Sequence, residues 1–239
     1  GYLAQLRVRT RQIAIGASRR WADDMFVLNE VIHVDSTEIL RQVDERLTPQ
    51  RESAFLKSWL RADAAVWDAV AEVRRRAEFE GAVLAEVVEN LPDGTLLYVG
   101  NSLPIRHLDQ FVRPRPATLR IFANRGASGI DGTISSALGI AAGSKGPLVL
   151  VTGDLSFYHD LNSLLALKDP GVRATIVLIH NDGGGIFRRL PAAQFDPPFT
   201  ELLLASHGLD FAPAVEMFGA EYWLVNGMQN LGAALKRSI

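Results

Sequence analysis

The chain contains no cysteine in 239 residues. That excludes a disulfide framework, a thiolate zinc site and a cysteine nucleophile, and it suits a reducing cytoplasm. No uninterrupted apolar run approaches the roughly 18 residues that a membrane-spanning helix needs. The opening stretch Gly1–Arg7 lacks the long apolar region and small-residue cleavage site of a signal peptide. Neither sign of charge dominates: 25 Lys and Arg stand against 27 Asp and Glu, a net charge of −2. A basic excess that would attract nucleic acid or an anionic membrane is therefore missing. Internal repeats and low-complexity tracts are absent too. What is present is ordinary globular composition, 48% hydrophobic and 22% charged. The length suits one large domain or one and a half.

Three stretches differ in pattern. Residues 1–50 hold brief apolar runs, Gln12-Ile-Ala-Ile15, Met25-Phe-Val-Leu28 and Val31-Ile-His-Val-Asp35, with a helical reading over Thr37–Leu47. Fifty residues make a poor independent core, so this stretch reads as the C-terminal tail of a domain that begins earlier. Residues 51–91 are helical. Phe55, Trp59, Ala62, Val66, Val70 and Val73 recur at three- and four-residue steps, and Pro92-Asp-Gly94 ends the run. Arg74-Arg-Arg76 reads as a solvated helix face.

From residue 95 the pattern changes to short β-branched runs: Leu96–Val99, Thr118–Phe122, Leu148–Val151 and Thr175–Ile179, with Tyr222–Val225 a weaker fifth. Helical segments near 130–143, 158–168, 199–206 and 228–237 separate most of them. Buried strands alternating with helices predict an α/β fold, a parallel sheet with helices on both faces. Residues 51–239 form this domain together with its leading linker helix.

Such sheets bind ligands beyond the carboxyl ends of their strands. Here those ends carry Gly100-Asn-Ser102, Asn124-Arg-Gly-Ala-Ser-Gly129, Gly153-Asp-Leu-Ser156 and Asn181-Asp-Gly-Gly-Gly185. One such cluster is an ordinary turn; four in register suggest a continuous polar site. Asp154 follows a buried strand and precedes a helix that the sequence starts near Ser156. A helix N-terminus attracts phosphate, and an aspartate beside it repels phosphate unless a cation intervenes. A metal-bridged di- or triphosphate satisfies both, although Asp154 as a simple helix cap does so as well. Asn181 ends the next strand, 27 residues on. Asp154, Asn181 and the carbonyl of Gly183 make an oxygen-rich set that suits Mg²⁺; Asn181 as a turn former is the alternative. Other chemistries lack their spacing. Gly143-Ser-Lys-Gly146 is not a phosphate loop, Gly126 to Gly132 lacks the dinucleotide spacing, and Gly126–Gly129 is not a nucleophile elbow. The five histidines, 33, 107, 159, 180 and 207, show no zinc-ligand spacing, and most of them read as structural.

Glycine-aspartate, then about 25 residues, then asparagine is similar to the thiamine diphosphate signature of the pyruvate-decarboxylase-like superfamily. Gly100-Asn-Ser-Leu-Pro-Ile-Arg106, Asn124-Arg-Gly-Ala-Ser-Gly-Ile-Asp-Gly132, Gly153-Asp-Leu-Ser-Phe-Tyr-His-Asp-Leu-Asn162 and Asn181-Asp-Gly-Gly-Gly-Ile-Phe187 together resemble the MenD family, the 2-succinyl-5-enolpyruvyl-6-hydroxy-3-cyclohexene-1-carboxylate synthases of menaquinone and phylloquinone biosynthesis. The resemblance implies decarboxylation of 2-oxoglutarate on thiamine diphosphate and addition of the succinyl carbanion to isochorismate. It implies that Asp154, Asn181 and Gly183 hold Mg²⁺ or Mn²⁺, and that Gly153, Leu155 and Ser156 cradle the diphosphate. Ser128 and Gly129 would contact the aminopyrimidine, and Ile130 would hold the cofactor bent. Ser102, Arg106 and Arg125 would bind substrate, two dicarboxylates suiting two guanidinium forks. Ile186, Phe187 and Leu190 would wall off water. His180 and Asp182 depart from residues common in the family.

The family also implies a glutamate in an N-terminal pyrimidine-binding domain, to which nothing here corresponds. The expectation is a chain that carries the end of a central α/β domain and the whole diphosphate-binding domain, that works within a homodimer or homotetramer with its active site shared between subunits, and that alone binds cofactor poorly and does not turn over. Two alternatives stand beside this reading: another thiamine diphosphate-dependent 2-oxo acid decarboxylase or carboligase, such as an acetolactate synthase, and a non-catalytic scaffold that kept the fold.

Overall fold

The computed structural model describes residues 10–18, 23, 25–48, 52–116 and 118–239; the Gly1–Arg7 stretch lies outside them. The chain forms two compact units, Gly1–Arg61 and Ala62–Ile239, with the division inside a long helix.

In the first unit, strand β1 (Ile13–Ile15) pairs in parallel with β2 (Glu30–Ile32). The apolar run Met25–Leu28 is not a strand. The Asp23 carboxylate accepts the backbone N–H of Val27 at 2.9 Å and of Leu28 at 3.0 Å, donors that a ladder would otherwise use. Helix α1 (Ser36–Asp44) starts where the Asp35 side chain accepts the Thr37 N–H at 2.9 Å.

Helix α2 (Ala54–Arg76) buries none of its residues: Phe55 is 72% and Trp59 63% exposed, so the predicted stripe is a helix face but not a buried one. Within the arginine run, Arg75 and Arg76 are exposed and pair with Glu72. Arg74 instead forks onto Glu89 at 2.6 and 2.8 Å.

The second unit is built on four parallel strands in the order β4-β3-β5-β6. They are β3 (Leu96–Val99), β4 (Arg120–Phe122), β5 (Leu148–Gly153) and β6 (Thr175–Ile179). The two-residue period of a strand divides its core in two. Leu96, Tyr98, Leu148 and Leu150 face Ile134 and Leu138 of helix α5 (Thr133–Gly143), together with Phe157 and Phe211. Leu97, Val99, Val149 and Val151 face the other way, against Leu84, Val87 and Val88 of α3 (Glu80–Asn90) and Leu231 and Leu235 of α9 (Met228–Ser238). Burial on both faces is why these strands read as unbroken apolar runs.

Helix α4 (Leu103–Phe111) follows β3. Its signal is Pro104, a residue suited to a first helical turn, which the sequence reading passed over. The helix expected over 158–168 is two pieces, α6 (Asp154–His159) and a 3₁₀ turn over Leu161–Lys168, so it begins ahead of Ser156. They part at Asp160, whose carboxylate accepts the Ser135 N–H at 2.8 Å and the Ser163 hydroxyl at 2.6 Å. Further 3₁₀ turns cover Gly185–Arg189 and Pro191–Gln194, before α7 (Pro198–Leu203) and α8 (Ala212–Met217). Tyr222–Val225 joins no sheet. Leu224 is 72% exposed and Trp223 stacks beneath the Arg237 guanidinium at 4.6 Å, so the two-sided burial that drives the central strands is missing. No helix among the described residues is long and apolar enough to cross a membrane.

Candidate functional site

β5 and β6 lie side by side with Gly153 opposite Ile179, so the residues that follow each strand meet at the rim. Asp154 is 2% exposed there. Its Oδ1 accepts the Leu155 N–H at 2.8 Å; its Oδ2 accepts the N–H groups of Asn181 at 3.0 Å and Gly183 at 3.1 Å. Only the first of these is local to the helix, so Asp154 does more than cap it. A buried carboxylate is tolerable because such charge-assisted bonds replace its hydration.

The loop after β6 is shaped by what lies behind it. Gly183 has φ +133°, and a Cβ there would stand 2.1 Å from the Leu204 carbonyl oxygen. The adjacent Gly184 N–H donates to that same oxygen at 2.5 Å. The Asp182 carboxylate accepts the backbone N–H groups of Gly208 at 2.7 Å and His207 at 3.1 Å, and these donors hold its pKa below the ordinary carboxylate value. The His207 Nε2 in turn sits 3.4 Å from the Asp154 Oδ2. Residues 204–208 thus back the glycine loop along its length.

Asn181 donates through Nδ2 to the Glu80 carboxylate at 2.7 Å, which turns its Oδ1 the other way. Glu80, Asn181, Gly183, Gly185, Arg188 and Leu204 line a small cavity of about 100 Å³. Nearby, His107 is 7% exposed and packs on the Phe111 ring at 5.6 Å. Burial pushes its imidazole pKa down, and its Nδ1 has no partner.

The other rim loops converge on Asn101, 3% exposed at the end of β3. Its Oδ1 accepts from Arg125 Nη1 at 2.8 Å and its Nδ2 donates to the Gly129 carbonyl at 2.6 Å. The next residue, Ser102, has φ 73°, and its carbonyl accepts from Arg106 Nη1 at 2.7 Å. Two exposed guanidinium groups are therefore anchored on consecutive residues of one loop. Ser128 and Gly129 are exposed, and Ile130 is half-buried, its carbonyl held by the Thr133 hydroxyl at 2.9 Å. Ile186, half-buried, shares a 3₁₀ turn with Phe187 (38% exposed), and Leu190 follows (48% exposed), which leaves an apolar wall open to solvent. Gly153 is half-buried, a Cβ on it would meet nothing within 4 Å, and Ser156 is buried beneath.

Residues 106–239 match the thiamine pyrophosphate enzymes over their C-terminal TPP binding domain. The chain belongs to the thiamine pyrophosphate enzymes. Among curated proteins it is similar to the 2-succinyl-5-enolpyruvyl-6-hydroxy-3-cyclohexene-1-carboxylate synthases of Roseiflexus castenholzii (48% identical, covering 95% of this chain and 39% of that protein) and Halobacterium salinarum (40% identical, 96% and 39%). That of Geobacillus thermodenitrificans is 47% identical over 84% of this chain and 35% of the relative. The chain spans about two fifths of the length of the first two relatives. Its fold matches benzoylformate decarboxylase from Polynucleobacter necessarius with a TM-score of 0.66 at 18% identity, covering 96% of this chain and 42% of that one. A putative thiamin diphosphate-dependent enzyme from Mycobacterium smegmatis matches at 0.65 and 18%, covering 96% and 41%.

Three residues that meet at this rim were missed in the sequence. Asn101 lies inside a quoted motif, and its place between two chemically marked loops was a usable signal. Glu80 and His207 had none: each meets the rim from a distant stretch of chain. Asp154, His180 and His207 also gather, with ligating atoms all within 4.8 Å of one another, although no spacing in the sequence marks them as a set.

Proposed function

We propose that this chain is the diphosphate-binding part of a Mg²⁺- or Mn²⁺-dependent synthase that decarboxylates 2-oxoglutarate and joins the resulting four-carbon unit to isochorismate. The observation that carries the reading is the Asp154 clasp, in which a carboxylate at the end of one strand grips the Asn181–Gly183 loop at the end of its neighbour. The donor set fits a hard cation: a carboxylate Oδ1 that accepts one local N–H, an amide oxygen turned away from Glu80, and the Gly183 carbonyl. The open space above Gly153 fits a diphosphate drawn in beside that cation.

When bound, thiamine diphosphate supplies the nucleophilic carbon and electron sink for the decarboxylation. Asp154, Asn181 and Gly183 would hold the cation, and Gly153, Leu155 and Ser156 would cradle the diphosphate. Ile130, beside Ser128 and Gly129, would hold the cofactor in place. Arg106 and Arg125 bind substrate carboxylates, with Ser102 between them. Ile186, Phe187 and Leu190 exclude water once a second surface covers them. We assign that surface to a pyrimidine-binding domain of a second subunit, which makes the working enzyme a homo-oligomer. The relatives are longer than this chain, which leaves room for such a domain.

Calorimetric titration of the full-length protein with thiamine diphosphate, with and without Mg²⁺, followed by assay of carbon dioxide release from 2-oxoglutarate with isochorismate, tests the proposal. Metal-dependent binding and turnover of that pair are expected. Binding without turnover, or turnover of pyruvate or benzoylformate instead, would move the chain to another carboligase or decarboxylase. Absence of both would leave only a scaffold.

A further inference from the structure

His207 lies outside every motif, yet its ring is 12% exposed and packs in a triangle with the rings of His180 (5.4 Å) and Phe211 (5.7 Å). Its tautomer follows from its neighbours. Nδ1 accepts the Leu209 backbone N–H at 3.0 Å, so a neutral ring carries its proton on Nε2. That Nε2 is buried, has no hydrogen-bond partner among the described residues, and stands 3.4 Å from the Asp154 Oδ2. The same tautomer argues against His207 as a metal ligand, because a ligating Nε2 would need its proton moved to Nδ1, against the Leu209 N–H.

Two backbone N–H groups already reach Oδ2, and Oδ1 has one. An Nε2–H turned onto Oδ2, 3.4 Å away, would give that oxygen a third donor against one on Oδ1. We propose that His207 is a positioning residue that, through its Nε2–H, fixes the rotation of the Asp154 carboxylate and so selects Oδ1 as the metal-facing atom. The backbone of the same residue ties to Asp182, so one loop residue braces both halves of the clasp. The proposal rests on the cofactor reading above and adds to it a residue outside the signature.

The test uses the full-length protein with three substitutions. His207→Leu and His207→Met remove the donor and keep an apolar filling, Met being the more adaptable in an irregular gap. His207→Gln keeps an N–H near the Nε2 position. Thiamine diphosphate binding is followed by calorimetry at stepped Mg²⁺ concentrations, with a thermal scan of each metal-free protein. Loss of a group that orients a metal ligand weakens the metal by about tenfold or more. His207→Leu and His207→Met should raise the Mg²⁺ needed for half-maximal binding by at least about tenfold. His207→Gln should recover most of that loss, and the metal-free melting temperatures of His207→Met and His207→Gln should agree. Should His207→Leu not fold, His207→Met against His207→Gln carries the comparison. A wild-type metal requirement in His207→Met, or a His207→Gln protein as impaired as His207→Met, would overturn the positioning role. Wild-type protein that binds cofactor without regard to metal would overturn the cofactor reading, and this inference with it.

Discussion

The Asp154 Oδ2 accepts the Gly183 backbone N–H at 3.1 Å across 29 residues of sequence. This one bond closes the strand–helix–strand unit at its ligand-facing end. It also couples stability to function, because the group that would bind metal is the group that satisfies the neighbouring loop.

Asp154→Ala should therefore do two things. It removes the acceptor of three N–H groups, two of them on the far loop, and stranded buried donors cost about 1–3 kcal/mol each. Urea unfolding should show a loss of at least about 2 kcal/mol, and calorimetry should show no metal-dependent cofactor binding. Unchanged unfolding would mean that the clasp does not stabilise the fold.

Two glycines at the rim should behave oppositely. Gly183→Ala places a Cβ 2.1 Å from the Leu204 carbonyl at φ +133°, so the loop must move. Backbone strain of this kind costs on the order of 1–3 kcal/mol, and the melting temperature should drop by several degrees. Gly153→Ala meets nothing within 4 Å at an ordinary φ of −84° and should melt as wild type does. Its cofactor affinity should nevertheless fall, because the new methyl occupies the space assigned to the diphosphate. Equal melting losses in both proteins would contradict the geometry.

Arg106 is exposed and anchored to the Ser102 carbonyl, away from the Asp154 clasp in every bond described for it. Arg106→Ala should raise the KM for substrate by about tenfold or more, the value of a charge-assisted hydrogen bond. Cofactor affinity should stay within about twofold, a free-energy change below the worth of one ordinary hydrogen bond. A variant whose main defect is in cofactor affinity would reassign Arg106 to the cofactor.

Acid should weaken the fold through His107. Burial lowers its pKa in the native state. Below the ordinary value of about 6.5 the unfolded chain takes up a proton that the folded chain refuses. Its contribution is thus complete above that pH and is lost as pH falls toward the native value. His107→Leu should flatten the decline in urea midpoint between about pH 7 and 5. A variant as acid-sensitive as wild type would assign the decline to other groups.

The strands of the second unit were legible because burial on both faces makes them continuous apolar runs; Leu96–Val99 and Thr175–Ile179 emerged with their expected bounds. The Tyr222–Val225 run has the same residue types and no sheet neighbour, a difference that composition does not carry. The rim was legible for a related reason: at a strand end, glycines and short polar residues interrupt an apolar run. Which of those residues touch was not legible. The Asn101 bridge to Arg125 and Gly129, the Glu80 grip on Asn181 and the approach of His207 to Asp154 join residues between 24 and 101 positions apart.

By itself, then, the sequence determined the class of fold and the family, and it marked one end of the sheet as the candidate site. These follow from periodicity and local residue type, which are properties of neighbours in the chain. The tertiary structure alone decided which oxygen of Asp154 takes two N–H groups, which way the Asn181 amide turns and why Gly183 tolerates no side chain. Each depends on atoms brought in from distant segments by the packing of the core, and a linear pattern holds no record of them.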